Sequence, residues 1–218
     1  MEYYMLNKPR GCITASRDAR RETVFDRLPK DFSERLFAVG RLDRDTEGLL
    51  LITDDGPLAA RLLHPDYHMP KTYELFCIGT LDEVGERRLE EGVYLDEARE
   101  QLSRPARFCR LGEGVLSQIL SQLGGRDLTL ARRRPQTPIL HATLTVTEGR
   151  KHQIKRMMLA VGCRVVWLRR LSIGPLTLDP DLALGEYRAL TADELATLYA
   201  RAYPAGVPKK EEKKQKSG

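Results

Sequence analysis

The segment Gly40-Arg41-Leu42-Asp43-Arg44-Asp45-Thr46-Glu47-Gly48-Leu49-Leu50 sets charged and hydroxyl side chains between two glycines, directly ahead of the most apolar run in the chain, Leu49 to Ile52. A buried strand ordinarily starts from a short turn. A polar, glycine-bounded loop at this place marks a scaffold that presents side chains for chemistry, and Asp43 is its first candidate.

Outward from the loop, apolar alternation and turn signals predict a mixture of strands and helices without a regular βαβ series. Leu36 to Val39 leads into the loop as a strand, and Leu49 to Thr53 leaves it as a buried one, closed by Asp55-Gly56. Upstream, Tyr3 to Leu6 is expected as a strand and Thr23 to Leu28 as a short helix. Downstream, a helix follows Pro57 and carries Leu58, Ala59, Leu62 and Leu63, then a strand from Lys71 to Ile78 with Tyr73, Leu75 and Cys77 on one face. Leu81 to Glu91 is expected as an exposed helix stopped by Gly92, Arg104 to Leu111 as a strand, and Val115 to Leu123 as a helix. The stretch 124 to 138, with its glycines, prolines and Arg132-Arg133-Arg134, is expected as a surface loop. Beyond it come the alternating strand from Leu140, a helix from about Lys151, the strands Cys163 to Leu171 and Tyr187 to Leu190, and a last helix opened by the capping box Thr191-x-x-Glu194.

The bulk properties narrow the function. A chain of 218 residues with 41% hydrophobic and 31% charged residues forms one sizeable core or two closely joined subdomains. No apolar run approaches the roughly 20 residues that span a bilayer, and the N-terminus lacks signal-peptide order, so a cytoplasmic protein is expected. Cys12, Cys77, Cys109 and Cys163 form no C-x-x-C pair, and Pro65 separates His64 from His68, so no metal site is expected. The net charge of +5 hints at a polyanionic partner. Five lysines and two glutamates in residues 209 to 218 account for +3 of it, leaving +2 for the body. Residues 204 to 218 are expected to be a disordered basic tail, after a catalytic body at 1 to 203.

The second informative segment is the helix at 151 to 161. At 100° per residue Ile154, Met157, Met158 and Val161 share one face, while His152, Lys155 and Arg156 occupy the other. Leu159 falls on the polar side, which argues that this side faces a cleft.

Taken together, Glu148-Gly149-Arg150-Lys151-His152-Gln153-Ile154-Lys155-Arg156-Met157 and the Gly40 to Leu50 loop resemble the paired motifs of the RsuA family of ribosomal-RNA pseudouridine synthases. Leu6-Asn7-Lys8-Pro9-Arg10-Gly11 is similar to the family's first motif and Pro70-Lys71-Thr72-Tyr73 to its tyrosine motif. Leu168-Arg169-Arg170-Leu171-Ser172-Ile173-Gly174-Pro175 and Leu184-Gly185-Glu186-Tyr187-Arg188 resemble its closing segments. The resemblance implies the α+β pseudouridine synthase fold: an extended, mixed, mostly antiparallel sheet with flanking helices and a central RNA-binding cleft.

It also implies roles. Asp43 matches the essential aspartate, which attacks the nucleotide covalently or assists loss of the base. Lys155 matches the cation that pairs with it and keeps it ionised, and Tyr73 the active-site tyrosine that stacks on the flipped uracil. Leu168 matches the apolar floor of the pocket, and Arg41 is expected to enter the space that the base vacates. Arg150, Lys151, Arg156, Arg169 and Arg170 would contact phosphates. Arg44 and Asp45 are expected to stabilise the loop. No cofactor is implied, and the partner is ribosomal RNA or a pre-ribosomal particle bound by a monomer.

Most of the family carries an N-terminal S4 module before the first motif, which here begins at Leu6; the 124 to 138 segment and the lysine tail are candidates to compensate. The motif variant at 151 to 156 and Gly185-Glu186-Tyr187 favour small-subunit (16S) rRNA, with the large subunit (23S) as the alternative. Two further alternatives are an assembly factor that binds rRNA without modifying it and a metal-dependent nuclease using Asp43, Asp45 and Glu47.

Overall fold

The computed structural model describes residues 1–204; the lysine tail lies outside the described residues. In chain order the elements are β1 (Tyr3–Lys8), α1 (Phe32–Arg35), β2 (Phe37–Ala38), β3 (Glu47–Thr53), α2 (Gly56–Leu63), β4 (Lys71–Ile78), α3 (Glu83–Glu91) and β5 (Arg107–Val115). There follow α4 (Gly125–Arg133), β6 (Pro138–Val146), α5 (Gln153–Ala160), β7 (Arg164–Ile173), β8 (Leu176–Thr177), β9 (Tyr187–Ala189) and α6 (Ala192–Ala202).

The strands form one sheet in the order β5-β6-β4-β7-β3-β1-β9, with β2 added to β3 and β8 to β7. Every pairing of these strands is antiparallel except β3 with β7, which is parallel and spans only Glu47↔Arg169 and Gly48↔Arg170. This is the mixed, mostly antiparallel α+β sheet that the family resemblance implies. Gly48 makes the junction possible. Its φ is +101°, and a Cβ there would lie 2.3 Å from the Arg170 carbonyl oxygen and 2.7 Å from the Arg170 nitrogen. Only glycine tolerates both the backbone conformation and the approach.

The core divides along the same junction. On one side Leu75, Cys77, Leu140, Ala142, Leu144 and Leu168 of the sheet pack under Ile154, Met157 and Met158 of α5 and Leu89 of α3. On the other, Met5, Leu49 and Leu51 pack against Leu58, Ala59 and Leu62 of α2 and Leu198 and Ala202 of α6, while Leu6, Leu50 and Ile52 face Phe25 and Phe32. Period-2 alternation therefore set the strands' faces. Thr191 and Glu194 close their capping box at the start of α6, each accepting from the other's backbone N–H.

One expectation needs correction. Residues 124 to 138 are not a loop: α4 occupies Gly125–Arg133, because Leu128, Leu130 and Ala131 pack against Leu116, Ile139 and Val166. The helices expected at Thr23 to Leu28 and Val115 to Leu123 are present as 3-10 helices, Phe25–Arg27 and Leu116–Gln122.

Candidate active site

Loop 40–46 is held from below by the first motif. Lys8 is fully buried, and its ammonium donates to the carbonyl oxygens of Pro9 (3.0 Å), Asp43 (3.1 Å) and Thr46 (2.9 Å). Its pKa is pushed down by burial, against the pull of the acidic side chains around it. The backbones of Gly11 and Arg44 bond to each other, the Arg44 side chain donates to the Gly11 carbonyl, and Thr14 Oγ1 bridges the Leu42 N–H and C=O. Arg10 Nε pairs with Glu47 at 2.9 Å, and Trp167 Nε1 donates to the same carboxylate. Asp43 thus stands on a loop whose carbonyls are fastened on several sides, which limits the rotational freedom of its carboxylate.

Asp43, 28% exposed, projects into a cavity of about 190 Å³ bounded by Tyr73, Lys71, Leu168, Arg170, Gln153 and Lys155 among others. Lys155, from α5, donates to Asp43 Oδ2 at 3.2 Å and to Asp45 Oδ1 at 2.5 Å. Burial raises the Asp45 carboxyl, and the Lys155 ammonium more than reverses this, leaving it below its ordinary value. His152, the N-cap of α5 with φ +52°, brings Nε2 to 3.7 Å from Asp43 Oδ1. α5 is anchored at this end by Gln153, which donates to Glu148 and accepts from the Arg150 N–H.

The predicted residues divide into groups. Asp43, Tyr73, Lys155 and Leu168 meet at one cavity although they come from the β2–β3 loop, β4, α5 and β7. Among the described residues the Tyr73 hydroxyl makes no hydrogen bond, and Leu168 is 4% exposed. Arg41 stands exposed at the mouth with no ion-pair partner among the described residues, and Lys151 lines the adjoining groove of about 1030 Å³. Arg150 is also at the mouth, paired with Glu148.

Arg156 and Arg170 are placed differently from surface phosphate contacts. Arg156 donates to the Leu95 carbonyl at 2.7 Å and to Gln101, tying down the 94–102 loop. Arg170 is 2% exposed beneath the cavity, with Nε donating to the Leu49 carbonyl. Arg169 is half-buried beside β3, its Nε enclosed without a partner. Asp45, expected as a loop stabiliser, shares Lys155 with Asp43 in addition.

Lys71 went unassigned in the sequence. It is 8% exposed, lines the cavity and donates to the Met69 carbonyl. Burial first, then the Arg170 guanidinium, pushes its ammonium down to about 8. The available signal was its two-residue spacing from Tyr73, which puts both on one strand face. Among the described residues no three His, Cys, Asp or Glu side chains gather closely enough to hold a metal ion, and no helix is long and apolar enough to cross a membrane.

Comparison with known proteins finds related chains. Residues 2–160 match the RNA pseudouridylate synthase family. The chain is 42% identical over 197 residues to an uncharacterized RNA pseudouridine synthase of Bacillus subtilis, covering 90% of this chain and 72% of that protein. It is 39% identical over 196 residues to the ribosomal small subunit pseudouridine synthase A of Escherichia coli K12, covering 90% and 73%. A solved pseudouridylate synthase superposes with a TM-score of 0.74 at 34% identity, over 90% of this chain and 73% of that one. Human RNA pseudouridylate synthase domain containing 1 shares the fold at 17% identity, with a TM-score of 0.52 over 91% of each chain.

Proposed function

We propose, from the premise that this chain belongs to the RNA pseudouridylate synthase family, that its cavity receives a flipped uridine of ribosomal RNA and isomerises it to pseudouridine. The observation that carries the proposal is the convergence of Asp43, Lys155 and Tyr73 from three separate elements on one cavity, with the carboxylate 3.2 Å from the ammonium.

The reaction breaks N1–C1′, turns the uracil over and joins C5 to C1′. As a net isomerisation it needs no redox partner and no cofactor. Asp43 acts on the nucleotide as the carboxylate that opens the N1–C1′ bond. Lys155 keeps that carboxylate charged in a partly enclosed site, where desolvation alone would favour the acid. Tyr73 offers its ring to the uracil, and Leu168 closes the floor against water. Arg41, unpaired at the mouth, supports the gap in the stacked RNA, while Arg150 and Lys151 hold the flanking phosphates.

Tritium release from C5-labelled uridine in rRNA transcripts tests this. Asp43→Asn keeps size and hydrogen bonding but removes the nucleophile, and is expected to abolish release while leaving RNA affinity close to wild type. Release at the wild-type rate would sink the assignment.

The relatives named for the small ribosomal subunit support 16S rRNA as the target. Mapping the modified position on 16S and 23S transcripts decides it, and modification confined to 23S rRNA would overturn the choice.

A further inference from the structure

Two cations of the cavity have no task in the reaction as described. Lys71 and Tyr73 alternate along β4, and Arg170 is the cross-strand partner of Tyr73 on β7, so the three project from one face of the sheet. Lys71 is 8% exposed and Arg170 is 2% exposed. Among the described residues neither is paired with a carboxylate. Lys71 Nζ donates to the Met69 carbonyl at 3.0 Å, Arg170 Nε donates to the Leu49 carbonyl at 2.8 Å, and Arg170 Nη2 is enclosed with no partner at all. The nearby Glu148 is occupied by the Arg104 N–H, Arg150 and Gln153. Burial and the neighbouring guanidinium hold the Lys71 ammonium down at about 8, the response expected of an amine without a counter-ion. Buried cations are ordinarily paired. Two like charges side by side, one with an orphaned donor, mark a place that an electron-rich group completes.

Two groups of the RNA could complete it, a phosphate or the base. Phosphates remain on the solvated backbone, and the exposed Arg150 and Lys151 meet them at the mouth. Lys71 and Arg170 lie instead among Leu168, Val146 and Ile154 at the closed end, where a flipped base arrives.

We propose, resting on the pseudouridine synthase reading above, that Lys71 and Arg170 form a cationic cradle that binds a carbonyl oxygen of the uracil and stabilises the negative charge it acquires when it leaves the ribose. In the covalent route N1–C1′ breaks with both electrons going to N1, and the Asp43 carboxylate bonds to C1′. The uracil anion spreads its charge over N1, O2 and O4. Hydrogen bonds from the two cations to O2 or O4 lower the energy of that anion more than that of neutral uracil. After rotation, the C5 electron pair bonds to C1′, Asp43 departs with its own pair, the C5 proton is lost and N1 takes one up. Atoms and charge balance as an isomerisation.

The test compares wild type, Lys71→Met and Lys71→Arg on C5-tritiated rRNA transcript, as single-turnover rates at saturating enzyme, with transcript affinity measured at the same salt. The Lys71→Met rate is expected to fall by about 100-fold or more, the scale of losing one charge-stabilising donor, with affinity within about threefold of wild type. Lys71→Arg is expected to recover at least about tenfold of that loss, and because it keeps the charge it decides the matter if Lys71→Met folds poorly. A Lys71→Met rate within about threefold of wild type overturns the cradle, and so does an equal loss of rate and affinity, which would mark a phosphate contact. If wild type itself releases no tritium, the isomerase reading fails and the cradle with it; release by wild type with an unaffected Lys71→Met removes the cradle alone.

Discussion

Lys71→Met should make the protein more stable. The gap between the ordinary lysine value of 10.5 and about 8 in the folded chain corresponds, at about 1.4 kcal/mol per pH unit, to about 3 kcal/mol by which burial disfavours the charged amine. Methionine keeps an unbranched stem and removes the charge. It also leaves the Met69 carbonyl without the Nζ donor, a loss of about 1 kcal/mol. The net gain at pH 7 is about 2 kcal/mol, or roughly 4–8 °C in Tm for a chain of this size. The sign of the pH dependence follows from linkage. Between about 8 and 10.5 the unfolded chain holds the Lys71 proton that the folded chain has released, so wild-type stability rises with pH across this window. Below pH 8 the cost is fully present, and above 10.5 it is gone. Urea unfolding of both proteins at pH 7, 9 and 10 should therefore show the variant's advantage shrinking to nothing as pH rises. A variant less stable than wild type at pH 7, or an advantage that does not change with pH, would refute the account of an uncompensated buried ammonium.

The other expectations concern different parts of the molecule. Gly48→Ala places a methyl against the Arg170 backbone at positive φ and should destabilise the chain by about 3 kcal/mol or more in urea. Arg156→Ala should increase protease cleavage within 94–102 and leave the salt dependence of RNA binding unchanged, whereas Lys151→Ala should reduce the slope of log affinity against log salt by about one. In acid, Arg188 holds the Glu194 carboxyl down at about 2, and it lowers Asp179 as well. A carboxyl depressed in the folded state stabilises above its unfolded value and loses that contribution as pH falls, so wild type should weaken between about pH 4.5 and 2, and Arg188→Gln should flatten that limb in equilibrium unfolding.

The regular elements were legible because their periods were clean. β4 and β6 alternate strictly, and α5 places Ile154, Met157 and Met158 at helical spacing. α4 was hidden because its Gly124-Gly125 entry and its arginines dominate the composition, while the apolar contacts that stabilise it come from outside the segment, from Leu116 and Ile139 on either side and from Val166 far along the chain. In the site, the motifs singled out Asp43, Tyr73 and Lys155, but nothing local tells Arg170 from an exposed arginine. Its burial follows from lying between β3 and β4 in the sheet order, which pairing across more than a hundred residues determines. Arg156 is similar: its helical position is on the polar face, and only the return of the 94–102 loop encloses it. Lys71 was within reach of the sequence, since its two-residue spacing from Tyr73 extends the face that Tyr73, Leu75 and Cys77 share on that strand.

The two-residue parallel ladder between β3 and β7 has a consequence for folding. Asp43 belongs to the chain segment on the β3 side of that seam, whereas Tyr73, Lys155 and Leu168 belong to the other. Neither half of the sheet holds all of the proposed site. A chain in which each half had formed but the seam had not closed would keep most of its hydrogen-bonded strands and look native by secondary structure, yet have its carboxylate and its ammonium apart. Catalytic activity in this molecule accordingly reports whether the β3–β7 seam has closed.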